Sequence, residues 1–478
     1  MLGIAGAAMA SLAAMLKDRG YEVRGSDELL HPPSEEILLA HQIQVNLGYR
    51  ESNLDPEPDL VIIGNALSRG NPEVEAVLDR RIPYRSMPEV LRDVFLQGRK
   101  NVVVTGTHGK TTTSTLLAWI LHKAAMDPGY LAGGISADFG STFRLGSGEV
   151  FVIEGDEYDC AFFDKRPKFM HYLPHLITVG ALEYDHADIY RDLEEIILQF
   201  RRMLRIVPKS GAAVINSDDP NTGFILQDAP CEVVSCGIER DDALWKAREV
   251  HVHEHGTDFV LQKGGRLLGR VSLRLPGRHN VINALLAIAA ADLLGVPPEA
   301  SVQAASLFRG VKRRLQCLGT VKGVTIYDDF AHHPTAISLV LNTLREMHPG
   351  RRLWAVLEPR SHTLRRKVFE DSLPVALSPS QCVIVGPIYR ANSIDPKDRL
   401  DPRYVVSRLR DLGKEAWYIQ HVEEILAALT NGIRPSDVIC ILSSGPFDGL
   451  PQRLISALQG QSGRVIPPKE KPRRDRSP

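Results

Sequence analysis

The chain has 478 residues, 44% hydrophobic and 24% charged, with a formal net charge of −1. That length fits roughly three domains, that composition a globular chain, and that charge argues against a large nucleic-acid electrostatic footprint. Six scattered cysteines without a CxxC pair imply neither a zinc site nor a disulfide framework and fit a reducing cytoplasm. No apolar run reaches the roughly 18 residues of a membrane span, and no secretory leader is evident.

The opening LGIAGAAMASLAAMLKDRGYEVRGSDE reads as a glycine turn, a helix with Met9, Leu12, Ala13 and Leu16 on one face, a stop at Gly20 and a strand ending near Ser26-Asp27. Only Met1 and Leu2 precede Gly3, whereas a first strand needs about five residues, so the native start is expected upstream. A second strand, DLVIIGN, leads to Asn65 and Arg69, and NPEVEAVLDR reads as a helix with Pro72 near its start. Alternation of β and α predicts a parallel sheet over 1–98.

The stretch NVVVTGTHGKTTT, Asn101 to Thr113, organises the rest. Val102 to Thr105 predict a buried strand, Gly106 to Lys110 a tight loop, and TTTSTLLAWILHKA a helix. Unpaired N–H groups at such a helix start hold phosphate oxygens. Lys110 adds a point charge, and the Thr111 hydroxyl can ligate Mg2+. The spacing departs from GxxxxGK[ST] because Val104 stands where its first glycine would fall; an ordinary glycine turn is the competing account. Downstream, VFVIE and HLITV read as strands delivering Glu154, and then Glu183, Asp185 and His186, to the sheet edge where ligands sit. Carboxylates and an imidazole beside a phosphate loop suit Mg2+, although acidic strand ends are also common solvation.

From Val250 the alternation VHVHEHGTDFVLQKGGRLLGRVSLRL predicts a β-ribbon turning at Gly264-Gly265, with His251, His253 and His255 on one face toward solvent and a metal site as the competing account. PGRHNVINALLAIAAADLLGV reads as a helix that Asn280 could cap. FRGVKRRLQCLG is a basic connector carrying Arg314; GVTIYDDFAHHPTAISLVLNTL, RRLWAVLEPRSHTLRRKVF and DVICILSSGPFDGLPQRLISAL each read as strand, loop and helix. Arg360, Arg365, Arg366 and Lys367 form a cluster suited to binding carboxylates, with ordinary solvated helix charge as the alternative for 365–367. The tail from Gly463, rich in proline and charge, reads as disordered.

GTHGKTTT resembles the ATP loop of the Mur ligase family, ATP-dependent amide-forming enzymes of peptidoglycan assembly, and the later motifs run in that family's order. The resemblance implies three α/β domains: a Rossmann-like UDP-substrate domain over 1–98, a P-loop ATPase-like domain over 99–308 and a Rossmann-like peptide domain over 309–462. It implies that Gly106, Thr107, His108, Gly109, Lys110, Thr111 and Thr112 hold ATP, with His279, Asn280 and Asn283 near the adenine, and Arg314 and Asp329 reaching the nucleotide around the hinge. Thr111 with Glu154, and Glu154 with His186, would hold Mg2+; Lys110, His186, Glu154 and Arg314 would be catalytic. Ser26, Asp27, Asn65 and Arg69 would face the UDP moiety, with Asp27 merely capping or ending its strand as the alternative; Asp329, His332 and His333 would stand at the active cleft, His333 toward the acceptor, whose carboxylates Arg360 suits by its charge at a strand end.

EGDEYDCAFFDKRPKF and LEYDHADIY resemble the branch that joins UDP-N-acetylmuramate to L-alanyl-γ-D-glutamyl-meso-diaminopimelate through an acyl phosphate, in recycling of the cell wall. With no lysine from Ala187 to Pro208, a carbamoylated lysine is not expected in that stretch. Three departures from the family stand out: Gly155 for alanine, expected only to loosen the strand end; Gly180-Ala181 for an asparagine pair; and GPFDG in the last loop. The expected partners are UDP-N-acetylmuramate and a cell-wall peptide, not nucleic acid or membrane, with the chain a monomer or weak homo-oligomer. A ligase for free L-alanine, and a non-catalytic nucleotide-binding relative, are the competing readings.

Overall fold

The computed structural model describes residues 1–227 and 229–460; the tail expected to be disordered lies outside the described residues. Two compact units divide between Arg314 and Leu315.

The first unit opens with short parallel pairs, Arg24–Asp27 with Gln44–Leu47 and Val61–Ile63 with Tyr84–Ser86. Leu2 bridges both, to Ser26 and to Ile63. Its N–H donates to the Ile62 carbonyl at 2.8 Å and its carbonyl accepts from Gly64 at 2.9 Å, so residues 1–3 take the central position where a longer strand was expected. The helix Ala7–Asp18 buries the expected Met9, Leu12, Ala13 and Leu16, but also Ala10, Ala14 and Met15. A one-sided face is insufficient because a second layer covers the helix: Ser11 Oγ lies 2.8 Å from Thr142 Oγ1.

The same unit holds a ten-stranded sheet. Its centre is Lys100–Thr105, parallel to Val150–Glu154 on one side and Pro174–Val179 on the other. Val102, Val103 and Val104 are buried, because β-branched side chains fill both faces of a strand covered above and below. The helices Lys110–Lys123 and Arg278–Leu293 pack on one face, and Leu193–Leu204 on the other. Towards one edge, Trp245–His253, Gly256–Lys263 and Arg266–Leu273 form the antiparallel ribbon. It turns at Gly264-Gly265 as expected, with φ of +53° and +83°. His251 and His253 lie on a strand but His255 falls in the following turn, its ring 6.4 Å from that of His253.

The second unit is a six-stranded sheet ordered Gln316–Val321, Val324–Asp329, Val438–Leu442, Leu353–Leu357, Cys382–Val385, Glu415–Tyr418. The first strand is antiparallel and the others are parallel. The inner strands Val438–Leu442, Leu353–Leu357 and Cys382–Val385 are continuous apolar runs, as strands covered on both faces must be.

The reading of Gly155 needs correction. A Cβ there would lie 2.6 Å from Val103 Cγ1 and 2.7 Å from Thr105 Cγ2, so the glycine makes room for the central strand rather than loosening its neighbour. Gly155→Ala is expected to destabilise the first unit by about 1–3 kcal/mol through overpacking, read from the denaturation midpoint; an unchanged midpoint would contradict this.

Candidate active site

The loop after Lys100–Thr105 owes its shape to backbone contacts that leave no room for side chains. Gly106, at φ +121°, approaches Gly180 so closely that a Cβ would lie 2.9 Å from the Gly180 nitrogen. Thr107 N–H donates to the Ala181 carbonyl at 2.6 Å. The Thr107 hydroxyl donates to the Glu183 carbonyl at 3.2 Å, and His108 Nε2 meets Glu183 Oε2 at 2.9 Å. Gly180-Ala181 thus holds the loop through its backbone. Gly109, at φ +80°, precedes the helix Lys110–Lys123. A Cβ there would lie 2.2 Å from Asn283 Oδ1, which brings the helix Arg278–Leu293 against the loop. Asn280 lies inside that helix rather than capping it; its amide donates to the Pro276 carbonyl at 2.8 Å and accepts from Asn283 at 3.1 Å. His279 is held near pKa 4 by burial and then by His108, and is neutral at pH 7. Thr112 is buried in the first helical turn, whose N–H groups have no intrahelical acceptors.

Lys110 folds back on the loop. Its ammonium donates to the Gly106 carbonyl at 2.8 Å and to Glu157 Oε2 at 3.0 Å, with Asp156 at 4.0 Å. Burial works against its charge, but Glu157, Asp156 and Glu154 outweigh it and hold its pKa above the ordinary lysine value. Glu157, only 2% exposed at its side chain, also meets His186 Nε2 at 2.9 Å. Burial alone would raise its pKa; Lys110 and His186 reverse that and keep it ionised. For His186 burial is likewise overcome by Glu157, and its pKa is raised. The Tyr158 ring lies 4.0 Å from the imidazole, and His186 adopts a left-handed φ of +57°, a conformation uncommon for a non-glycine residue and frequent at functional sites.

Thr111 Oγ1 lies 3.0 and 3.1 Å from the two Glu154 oxygens. Glu154 also accepts the Gly133 N–H at 2.6 Å, and Arg314 Nη2 donates to Thr111 Oγ1 at 3.2 Å. Burial, then Asp156, raises the Glu154 pKa despite Lys110 and Arg314; a carboxylate so placed favours an added cation. Thr111 and Glu154 are therefore brought together as expected, whereas His186 contacts Glu157 instead of Glu154.

The models for three segments of one family match this chain: the Mur ligase family, catalytic domain, over residues 1–99; the Mur ligase middle domain over 104–291; and the Mur ligase, glutamate ligase domain over 313–445. The chain belongs to the Mur ligase family. It is 38% identical over 96% of its length, and 97% of the relative's, to the Escherichia coli UDP-N-acetylmuramate--L-alanyl-gamma-D-glutamyl-meso-2,6-diaminoheptandioate ligase. It is 31% identical to the UDP-N-acetylmuramate--L-alanine ligase of Acetivibrio thermocellus over 93% of this chain and 92% of that one. The crystal structure of a murein peptide ligase from Psychrobacter arcticus is similar at a TM-score of 0.75 and 34% identity, covering 96% of this chain and 98% of that one.

The other expected residues of this Mur ligase take varied positions. Ser26 is buried and hydrogen-bonded to Glu73. Asp27 accepts the Ala5 N–H at 2.8 Å, bracing the glycine turn that starts the first helix. Asn65 is exposed, and exposed Arg69 forks onto Glu75 at 2.8 to 3.1 Å. In the second unit Asp329 accepts N–H groups from Leu315 and Ala331, tying the start of that unit to the end of Val324–Asp329. His333 Nδ1 accepts the Thr335 N–H at 3.3 Å as a helix cap. The Arg360 guanidinium lies 3.6 Å over the Tyr389 ring and 3.2 Å from Glu358. It crosses Gly445, where a Cβ would lie 2.0 Å from its Nε.

Glu157 and Asp156 are the central residues that motif reading passed over. The signal was present in the acidic run EGDEYD, but which of its carboxylates turns inward is decided by the chain's path after the strand. Glu157→Ala leaves the Lys110 charge with its main counter-charge removed, so a stability loss of about 3 kcal/mol is expected. Pairing it with Lys110→Met should recover most of the loss; denaturant titration of the two single variants and the double tests this, and additive effects would refute the coupling.

Proposed function

We propose that this Mur ligase joins the lactyl carboxylate of UDP-N-acetylmuramate to the L-alanine amine of L-alanyl-γ-D-glutamyl-meso-diaminopimelate, with ATP converted to ADP and phosphate. The observation that carries it is the buried Lys110–Glu157–His186 chain beside Thr111–Glu154, at the end of a strand–loop–helix phosphate cradle. The greater likeness to the tripeptide ligases, 37–38%, than to the L-alanine ligases, 31–34%, supports the acceptor.

The residues fit a divalent cation of the Mg2+ kind, since the Thr111 hydroxyl and the half-buried Glu154 carboxylate offer hard oxygen donors. Thr111 and Glu154 would hold it, and when bound it supplies positive charge to the phosphate oxygens. A carboxylate is a poor acceptor for an amine. In the first step the muramyl carboxylate oxygen bonds to the γ-phosphorus as the bond to ADP breaks, giving an acyl phosphate. Lys110 and the N–H groups of residues 110–112 stabilise charge on the phosphoryl oxygens. Next the neutral amine attacks the acyl carbon, inorganic phosphate leaves, and the amine gives up a proton. Arg314, which donates to Thr111, would meet the phosphates, and neutral His279 with Asn283 would border the base. Glu157 holds Lys110 and His186 in place and does not itself touch the reacting atoms.

The second reading, a ligase for free L-alanine, is favoured by the relatives of that name. ADP release with UDP-N-acetylmuramate and either L-alanine, the tripeptide or no acceptor separates the two. Release should depend on the tripeptide, and dependence on L-alanine would overturn the proposal. Lys110→Ala should lower this turnover by at least about a thousandfold, the scale of losing a principal phosphate-charge stabiliser, with its circular dichroism spectrum retained. Undiminished ADP release would remove Lys110 from the mechanism.

A further inference from the structure

The basic run read from the sequence at Arg365, Arg366 and Lys367 is divided by the fold. Arg365 is buried, donating to the Tyr389 carbonyl at 3.0 Å and to Ser393 at 3.3 Å, and so supports a loop. Lys367 turns instead to a separate cavity of about 610 Å³ within the second unit, a size suited to a small ligand. This cavity lies beyond the carboxyl ends of Cys382–Val385 and Glu415–Tyr418, the edge of a parallel sheet where ligands bind.

Its walls combine two chemistries. Lys367, Arg399 and Arg403 supply positive charge, while Pro387, Ile388 and Leu400 supply apolar surface. The acidic wall residue Asp401 is turned to its own helix, accepting the Arg403 N–H at 2.9 Å. Arg399 is steadied by a bond to the Ala391 carbonyl at 3.2 Å, which pre-orients its guanidinium. Arg403 and Lys367 are exposed and free to reach a ligand. The cavity therefore suits a molecule with an aliphatic body and more than one carboxylate. It is also linked to Arg360: the segment after Cys382–Val385 places Tyr389 under that guanidinium and Ile388 and Ala391 on the cavity wall.

We propose that this cavity binds the distal, carboxylate-bearing end of the acceptor peptide, and that Lys367, Arg399 and Arg403 select a peptide over a free amino acid. The proposal rests on the ligase reading above. Free L-alanine has a single carboxylate adjacent to the reacting amine and cannot occupy Arg360 and this cavity together, whereas a tripeptide ending in diaminopimelate carries carboxylates at its far end on an aliphatic chain.

The test is steady-state ADP release by the full chain with UDP-N-acetylmuramate, ATP and either the tripeptide or the same tripeptide with its diaminopimelate carboxyls amidated. Lys367→Gln and Arg403→Gln, both at exposed positions, should each raise the tripeptide KM about tenfold, the scale of one charge-assisted hydrogen bond. The KM values for ATP and the nucleotide sugar should not move. Amidation should raise the wild-type KM and leave the double variant little further affected. A double variant with the wild-type tripeptide KM and a retained melting temperature overturns the cavity assignment while leaving the ligase reading intact. A wild-type chain that uses L-alanine but not the tripeptide overturns both.

Discussion

A buried ammonium must have a counter-charge, and the arrangement of the first unit follows from how Lys110 obtains one. Glu157 lies 3.0 Å from Lys110 and 2.9 Å from His186, with its backbone carbonyl accepting from the Tyr190 hydroxyl at 2.6 Å. Taking these charges out of water is costly, and only mutual contact offsets the cost. The consequence is positional: a long, flexible lysine is held against the loop carbonyl of Gly106 instead of sampling solvent. Three segments distant in sequence, the phosphate loop, the turn after Val150–Glu154 and the segment after Pro174–Val179, are thereby kept in register. The central strand Lys100–Thr105, paired with both neighbours, fixes their spacing.

Glycines do the complementary work where charge cannot. Gly106 lets the loop pass against Gly180, and Gly109 admits the Asn283 amide. Each side chain omitted allows backbone to approach backbone or an amide from another helix, and Gly106 and Gly109 carry φ values that favour glycine. A loop built this way presents N–H groups rather than side chains, which suits phosphate of any origin and explains why the loop alone carries no information about the acceptor.

That division also explains what could be read from the sequence. The buried strand, loop and helix of 101–123 were legible because a β-branched run, clustered glycine and helical periodicity are local signals, as were the strands delivering Glu154 and Glu183. Thr111 and Glu154 followed from motif and strand end. Glu157 did not, because a carboxylate three positions beyond Glu154 in an acidic run is indistinguishable from surface charge until the turn is known. The helix Ala7–Asp18 was read with one apolar face because small alanines on its other side signal nothing until a second layer, at Thr142, is seen to cover it. Arg365 and Lys367 are near neighbours of like charge, yet one is buried under a loop carbonyl and the other faces a cavity; spacing alone cannot separate them. Gly155 shows the opposite limit, since substitution by alanine is mild in most strands and severe only where Val103 and Thr105 already fill the space.

Transfer of a phosphoryl group to a muramyl carboxylate makes the same demands whatever amine follows. Selection among acceptors must therefore reside in groups that meet parts of the acceptor not taking part in bond formation, because only there do an amino acid and a peptide differ. Arg360 is held by Tyr389 and Glu358 and given its path by Gly445, the kind of fixed guanidinium that one carboxylate would need. A second carboxylate several bonds away needs a second, independently held cation. In the second unit a cation held in that way stands at the far end of the loop that supports Tyr389, where Arg399 is anchored to Ala391. Changes in the connection after Cys382–Val385 would thus alter acceptor preference without altering the phosphate site, since that connection leaves the sheet at its edge while the strands beneath are buried and paired.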